Sequence, residues 1–458
     1  MRLDVPNILQ AAGKCFSPDV LFAVGGLVRN TLLGQKGGDL DVCSGLTPEE
    51  VSARLQGSPH VRVVPKAVAF GTVELHLWHD DRPYVLEHTT FRRDSYPRSG
   101  AHRPDHVAFT IDLREDALRR DFSVNALYLN CTTGEIVDPL GGISDIQKRM
   151  LRTANAPART LGEDGLRILR MVRFACELNF GIETELYHYA GQYVHYLGDI
   201  AKERIKDEFS KILLSDARYP GLNNPKAHKR GLFLLHTLGA YAFILPCLLP
   251  GVGVRQKAQY HAYDVFNHLL HAAAAAPADL CVRLAALLHD VGKPTALLES
   301  GRMYGHDEIS ARIAREALQE LRFSRAVIDR VCLLIRNHMF DLNGRAKPAT
   351  IRFMLSSLGR EAAAQLIALR RADVIGSGRT GFVPTADAWQ RELDYMIEHD
   401  MPFHVNELAL NGSDIMRHAG IPPGKEIARI KHILLKHCLR KPGRNTKEHL
   451  LRVLRGIH

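Results

Sequence analysis

Between residues 20 and 140, short runs rich in β-branched and aromatic side chains (VLFAV, DLDVC, TVELHLW, YVLEHTTF, HVAFTIDL and NALYL) recur between turn residues. That pattern predicts strands. Beyond Arg159 the apolar positions take up helical spacing almost everywhere, so an α/β head leads an all-helical body. Residues 160–180 and 201–214 read as amphipathic helices, and a Pro- and Gly-bearing stretch at 245–254 separates them from a second helical block that runs to about residue 374. The segment GSGRTGFVPTADA reads as a further linker before a last helical unit. These breaks divide the chain into a head (1–150), a helical neck (151–245), a second helical domain (255–375) and a helical tail (400–458).

Composition narrows the class. With 458 residues, 46% hydrophobic and 24% charged, the chain has material for several cores, and extended disorder is excluded as its main theme. No stretch approaches the ~18 uncharged apolar residues of a membrane span. The first residues also lack a basic segment followed by an apolar run, so the expected location is the cytoplasm, with no membrane partner. Eight cysteines without a C-x-x-C pair indicate neither a disulfide framework nor a zinc ribbon. A formal net charge of +10 points, for a cytosolic chain, to a polyanionic partner such as nucleic acid.

The head carries the first candidate chemistry. FAVGGLVRNTLLG places an apolar strand before Gly25-Gly26 and a helix ending at Gly34, so backbone N–H groups converge where phosphates can be cradled. Any tight strand-to-helix connection also wants glycine. In GGDLDVC, Asp39 and Asp41 are two apart on a predicted strand, hence on one face, and can share a pair of Mg²⁺ ions. Two such ions activate a 3′-hydroxyl and neutralise a leaving pyrophosphate, as nucleotidyl transfer requires.

These motifs together resemble the class II tRNA nucleotidyltransferases, the CCA-adding enzymes, and the related bacterial poly(A) polymerases. Their polymerase-β-like head, a mixed sheet with helices, carries GG-x-VR-D-x-LLG followed by D-x-D. Asn30 stands where that family usually has Asp. The resemblance implies that Gly25, Gly26 and Arg29 hold the triphosphate and that Asp39 and Asp41 hold Mg²⁺. It implies further that Glu87, in YVLEHTTFRRD, adds a carboxylate near the metals, and that residues 92–104 form the family's flexible loop. LRRDFSVNAL assigns Arg120, Asp121 and Asn125 to ribose and triphosphate, and DPLGGISDI matches the connector to the neck.

In the neck, LGEDGLRILRMVRF opens a helix on which Asp164 and Arg167, three residues apart, project from one face. Cytosine and adenine both present an exocyclic amino donor beside an unprotonated ring nitrogen. A carboxylate and a guanidinium can therefore read either base and reject guanine and uracil. The E-D-x-x-R form is the base-recognition motif of the resembled family. Arg167, Arg170 and Arg173 make an i, i+3 stripe that faces phosphates or water.

The second helical block strings His268, the doublet His289-Asp290, His306, His338 and Asp373 over successive predicted helices. Imidazoles and carboxylates in this number suit a divalent metal. The set resembles the HD superfamily of metal-dependent phosphohydrolases, whose ligands run H…HD…D. That order maps to His268, His289, Asp290 and Asp373, with His306 and His338 as extra ligands or phosphate contacts. The expected metal is a divalent transition ion or Mg²⁺. In the tail, Lys425, Arg429, Lys431, Lys436, Arg440, Lys441 and Arg444 concentrate positive charge suited to a phosphate backbone.

The expectation is an enzyme that adds C, C and A to tRNA 3′ ends from CTP and ATP, with an appended HD phosphohydrolase. An A-adding or CC-adding specialist, a poly(A) polymerase, and an HD phosphohydrolase with a degenerate RNA-binding head are the alternatives. No protein partner is indicated.

Overall fold

The computed structural model describes residues 1–96 and 105–457. The chain folds as two compact units, Met1–Ile244 and Leu245–His458. In the first, nine strands precede the helical part: β1 (Phe22–Val24), β2 (Asp41–Ser44), β3 (Val61–Ala67), β4 (Thr72–His79), β5 (Arg82–Thr90), β6 (Arg92–Ser95), β7 (His106–Phe109), β8 (Tyr128–Asn130) and β9 (Ile136–Val137). Seven of them form one sheet in the order β3-β4-β5-β2-β1-β8-β9, while β6 and β7 pair as a separate ribbon. The sheet is mixed, because β2 and β5 run parallel and the remaining neighbours antiparallel.

Val24, Cys43, Phe91, Ala117, Ala126 and Tyr128 pack into a buried cluster against this sheet. The Tyr128 ring meets Phe22 and Phe91 edge-on, an arrangement worth about 0.5–1.5 kcal/mol per pair beyond area burial. Strand β3 escapes the sequence pattern because Pro65 lacks a donor. It is tolerated because β3 is an edge strand whose register shifts between Pro65 and Ala67. Arg92–Ser95 is a strand and not the start of a loop, and residues 97–104 of that expected loop lie outside the described residues.

The expected helix over 160–180 is two helices, Pro157–Glu163 and Leu166–Glu177. Asp164 between them is extended, with φ −149° and ψ 105°. Gly165, which follows in helical conformation, packs so closely that a Cβ there would meet the Tyr196 Cβ at 2.7 Å.

In the second unit, the stretch at 245–254 is packed and not an open linker, with a 3₁₀ turn Pro246–Gly251 and a buried Leu248. Likewise Pro384, inside the expected second linker, opens the helix Pro384–Glu398, which buries Trp389. Two glycines set the spacing around the histidines. A Cβ on Gly376 would meet the Ala272 Cα at 2.5 Å, so the helices Arg360–Gly376 and Val265–Ala275 touch backbone to backbone. Gly292 lies equally close to the first turn of the helix His306–Glu320, 2.6 Å from the Ser310 nitrogen by the same measure.

Candidate active sites

In the head, Gly25 has φ +77°, a conformation open to glycine, and ends the short connection from β1 to the helix Gly26–Leu32. A Cβ on Gly25 would lie 3.9 Å from the Asp41 Oδ2, so that carboxylate borders the glycine corner. Asp41 is the first residue of β2 and pairs in register with Glu87 on β5. Asp39 lies ahead of the strand and is exposed, which corrects the expectation that both acids sit on it. Burial, with Glu87 and Asp39 nearby, pushes the Asp41 carboxyl up to about 6. Lys66 holds Glu87 at 2.7 Å and Glu74 at 3.1 Å. Carboxylates gathered around Asp41 in this way form a donor set that suits a hard divalent cation.

Arg29 is 3% exposed. Its guanidinium donates to the Asn125 Oδ1 at 2.5 Å, the Asn30 Oδ1 at 2.8 Å and the Tyr219 hydroxyl at 3.2 Å. Every one of these acceptors is neutral. The Phe174 ring stacks beneath, 4.8 Å from the Arg29 Cζ. Asn125 also donates to Asp121, which accepts a 2.6 Å ion pair from Arg170. Burial alone would raise Asp121, but Arg170 and the Asn125 hydrogen bond outweigh it and hold the carboxyl at about 2. Arg120 and Arg119 similarly clamp the buried Asp116 at 2.8 and 2.6 Å, overriding its desolvation and holding it at about 2.

The neck corrects two expectations. Asp164 and Arg167 do not share a helix face, because the chain is extended at Asp164, ahead of the helix that carries Arg167. Asp164 accepts from the Leu166 nitrogen at 3.0 Å and from Arg204 at 2.9 Å. Arg167 is buried and donates to the Thr160 carbonyl, Glu163 and the Arg119 carbonyl. Nor is the arginine stripe a water-facing surface. Arg173 is buried between Glu208 at 2.6 Å and Glu177 at 3.2 Å, and Arg170 is half-buried on Asp121. Tyr219, Glu208, Arg204 and Asp116 were missed from sequence. They lie far along the chain or in segments without a motif, and only the fold brings them in.

In the second unit all the expected metal-site residues converge. The Asp290 Oδ2 lies 3.4 Å from the Nε2 atoms of both His268 and His289, and its Oδ1 lies 3.0 Å from His306 and 3.7 Å from His338. The Asp373 Oδ1 lies 3.2 Å from His268 and 3.4 Å from His289. The Nδ1 atoms of His289, His306 and His338 each face a backbone carbonyl, of Ala286, Met303 and Ile335. A carbonyl requires N–H there, which in the neutral imidazoles leaves the Nε2 lone pairs of these three inward; the Nε2 atoms lie 3.1 Å apart in His268–His289 and 3.4 Å apart in His306–His338. Lone pairs so disposed fit a metal cation. Burial alone would lower His289, but with no cation bound Asp290 and Asp373 outweigh it and hold it up at about 10, a proton that a divalent metal would displace, while burial beside His289 pushes His338 down to about 4.

In the tail, Lys425, Arg429, Lys436, Arg440 and Lys441 are exposed, the first four on the helix Lys425–Arg440, while Lys431 and Arg444 are half-buried. Lys425, Arg429, Lys436 and Arg440 fall on one face at helical spacing, although Arg429 is engaged by Glu426 at 2.6 Å. Among the described residues no helix is long and apolar enough to cross a membrane.

Comparison with known proteins follows this layout. Residues 21–152 match the poly A polymerase head domain, 179–250 the "probable RNA and SrmB- binding site of polymerase A", and 259–376 the HD domain. The RNA-binding match thus falls in the neck and not in the basic tail. The CC-adding tRNA nucleotidyltransferase of Thermus thermophilus is 32% identical over 445 residues, 92% of this chain and 90% of that one. The A-adding tRNA nucleotidyltransferase of Deinococcus radiodurans is 32% identical over 73% of this chain and 77% of its own. The CCA-adding enzyme of Anoxybacillus flavithermus is 39% identical over 193 residues, 42% of this chain, and the match spans 46% of that enzyme's length. Among solved structures, the Bacillus stearothermophilus CCA-adding enzyme in complex with CTP superposes with a TM-score of 0.68 at 25% identity, covering 99% of this chain and 98% of the other. Enzymes of the polymerase-head and HD families are generally metal-dependent.

Proposed function

Because the chain belongs to the tRNA nucleotidyltransferases, we propose that it is a cytoplasmic CCA-adding enzyme, building C, C and A onto tRNA 3′ ends from CTP and ATP and releasing pyrophosphate. The observation that carries this reading is the Asp41 carboxylate set against the glycine corner, with Glu87 in register beside it and the buried Arg29 in the helix that follows. Asp39, Asp41 and Glu87 would hold Mg²⁺, which supplies activation of the 3′-hydroxyl and charge neutralisation of the leaving pyrophosphate. Gly25 and Gly26 offer backbone N–H groups and Arg29 its guanidinium to the triphosphate. Asn125 and Asp121 orient Arg29 and Arg170, and Arg120, anchored on Asp116, keeps one terminal nitrogen for the nucleotide.

Asp164 and Arg167 read the Watson–Crick edge of C or A. Asp164 accepts from Arg204 and from the Leu166 nitrogen, and Arg167 has N–H groups beyond those it spends on Thr160, Glu163 and Arg119. Each lost polar contact in such a pocket costs on the order of 1–3 kcal/mol, which in combination rejects guanine and uracil. The neck and the basic face of the tail supply the tRNA surface. In the second unit, His268, His289, Asp290 and Asp373 would hold a divalent metal, with His306 and His338 adjoining. That metal supplies water activation for hydrolysis of a phosphomonoester or a 2′,3′-cyclic phosphate.

CC-only or A-only addition is the second reading, favoured by the names of the two relatives matched over 92% and 73% of this chain. The separating experiment supplies tRNAs ending before the first C, after the second C and after the A with CTP alone, ATP alone and both. Full CCA addition gives two-nucleotide extension with CTP and three with the mixture. Arrest after two with the mixture selects the CC-adding reading, and extension only of the CC-ended tRNA by ATP selects the A-adding one.

A further inference from the structure

Asn30 is 1% exposed and lies at the centre of the head site. Its neighbours fix the orientation of its amide. The Arg29 Nε and Nη2 need an acceptor, met by the Asn30 Oδ1 at 3.2 and 2.8 Å, while the Gly37 carbonyl needs a donor, met by the Asn30 Nδ2 at 2.9 Å. The same Nδ2 reaches the Tyr219 hydroxyl at 3.2 Å. Gly37 and Gly38 lead directly into Asp39 and β2. A Cβ on Gly38 would sit 3.0 Å from the Leu27 Cα, so this loop rides on the backbone of the helix that carries Arg29 and Asn30. Among the described residues no carboxylate lies within ion-pair distance of Arg29, whose acceptors are two amide oxygens and a phenol. Glu177 and Asp121 act on Arg29 only at longer range; a buried cation without a direct ion pair is costly, and a bound triphosphate would relieve that cost.

We propose that Asn30 is a positioning residue for nucleotide binding: its carbonyl aims Arg29 without neutralising it, and its amino group pins the loop that delivers Asp39 and Asp41. The proposal rests on the nucleotidyltransferase reading of the head. A carboxylate in this place would do neither job in the same way. It would neutralise Arg29 before any nucleotide arrived, and would set an oxygen in place of a donor against the Gly37 carbonyl, freeing the loop. The resembled family usually has that carboxylate, so this chain distributes charge at the site differently.

The test uses the full chain and its Asn30→Asp variant, with two readouts: thermal stabilisation by CTP, and steady-state CTP incorporation into tRNA lacking its CCA end. In Asn30→Asp the stabilisation by CTP shrinks, KM for CTP rises roughly tenfold or more, and the Mg²⁺ concentration for half-maximal kcat increases. Tyr219→Phe, which removes one shared hydroxyl, gives a smaller rise in KM and serves as the second variant should Asn30→Asp fail to fold. Unchanged KM, CTP stabilisation and Mg²⁺ requirement in Asn30→Asp, or in Tyr219→Phe where Asn30→Asp is unfolded, overturn the proposal. A wild-type chain that is stabilised by CTP yet incorporates none refutes the enzymatic reading instead, and the variants' CTP stabilisation still decides the role of Asn30.

Discussion

The head site and the histidine site both gather acids, but they treat charge in opposite ways. In the head, burial and neighbouring carboxylates raise Asp41, so the site carries surplus negative charge on one side and, at Arg29, an unpaired cation on the other. In the second unit, histidines overcome desolvation and hold Asp290 and Asp373 well below the usual carboxylate range, with Lys293 adding to them at Asp290, so the acids are met by basic groups on the spot. The first arrangement suits a cation and a nucleotide that come and go with each turnover, and the second a resident metal. Their supports differ too. Side-chain ion pairs running from Asp121 through Arg170 and Glu208 to Arg173 brace the head, whereas close backbone packing at Gly376 and Gly292 sets the histidines.

The sharpest break of this comparison is functional. His289→Ala should remove phosphohydrolase activity by about a thousandfold or more, as loss of a metal ligand does, while CTP incorporation stays within twofold. Parallel loss of both in a folded variant would refute two independent sites. Next in size, Arg173→Met leaves Glu177 buried without its ion-pair partner and Glu208 with only the longer pairs to Arg170 and Lys211, and should destabilise the first unit by about 3–5 kcal/mol, read by denaturant unfolding.

Acid probes the same bracing. Asp116 and Asp121 have folded pKa values near 2, below their unfolded values, so their contribution is complete above about pH 4 and is lost as the pH falls toward 2. Each is worth about 2–3 kcal/mol by that linkage. Asp121→Asn should flatten the slope of stability against pH in this window, and an unchanged slope would count against the bracing. The smallest effect is expected from Gly376→Ala, whose methyl group would press on Ala272. It should cost about 1–3 kcal/mol and lower phosphohydrolase activity, leaving nucleotide incorporation intact.

The order of the elements was legible in the sequence because it depends on local spacing, whereas the convergence of the six second-unit residues was expected from the resemblance to the HD superfamily. His268 lies on the apolar helix Val265–Ala275, His289 caps the apolar helix Leu280–Leu288, and Asp373 lies near the end of the helix Arg360–Gly376. What stayed hidden depends on distance along the chain. Arg170 and Arg173 look like solvent-facing charges until Asp121 and Glu208 arrive from separate segments, and Tyr219 has no motif to announce its hydroxyl beside Arg29. The neck helix was misjudged for a local reason, since the apolar helical pattern runs on across residues 164–165, where the chain is extended at Asp164.

The central claim is that Asp41, at the glycine corner, is indispensable for nucleotidyl transfer, and single-turnover transfer of labelled CMP from CTP to tRNA lacking its CCA end tests it most directly. Wild-type protein with Mg²⁺ should extend the tRNA, and a folded Asp41→Ala variant should be slower by at least about a thousandfold. Extension by that variant within tenfold of wild type would contradict the account.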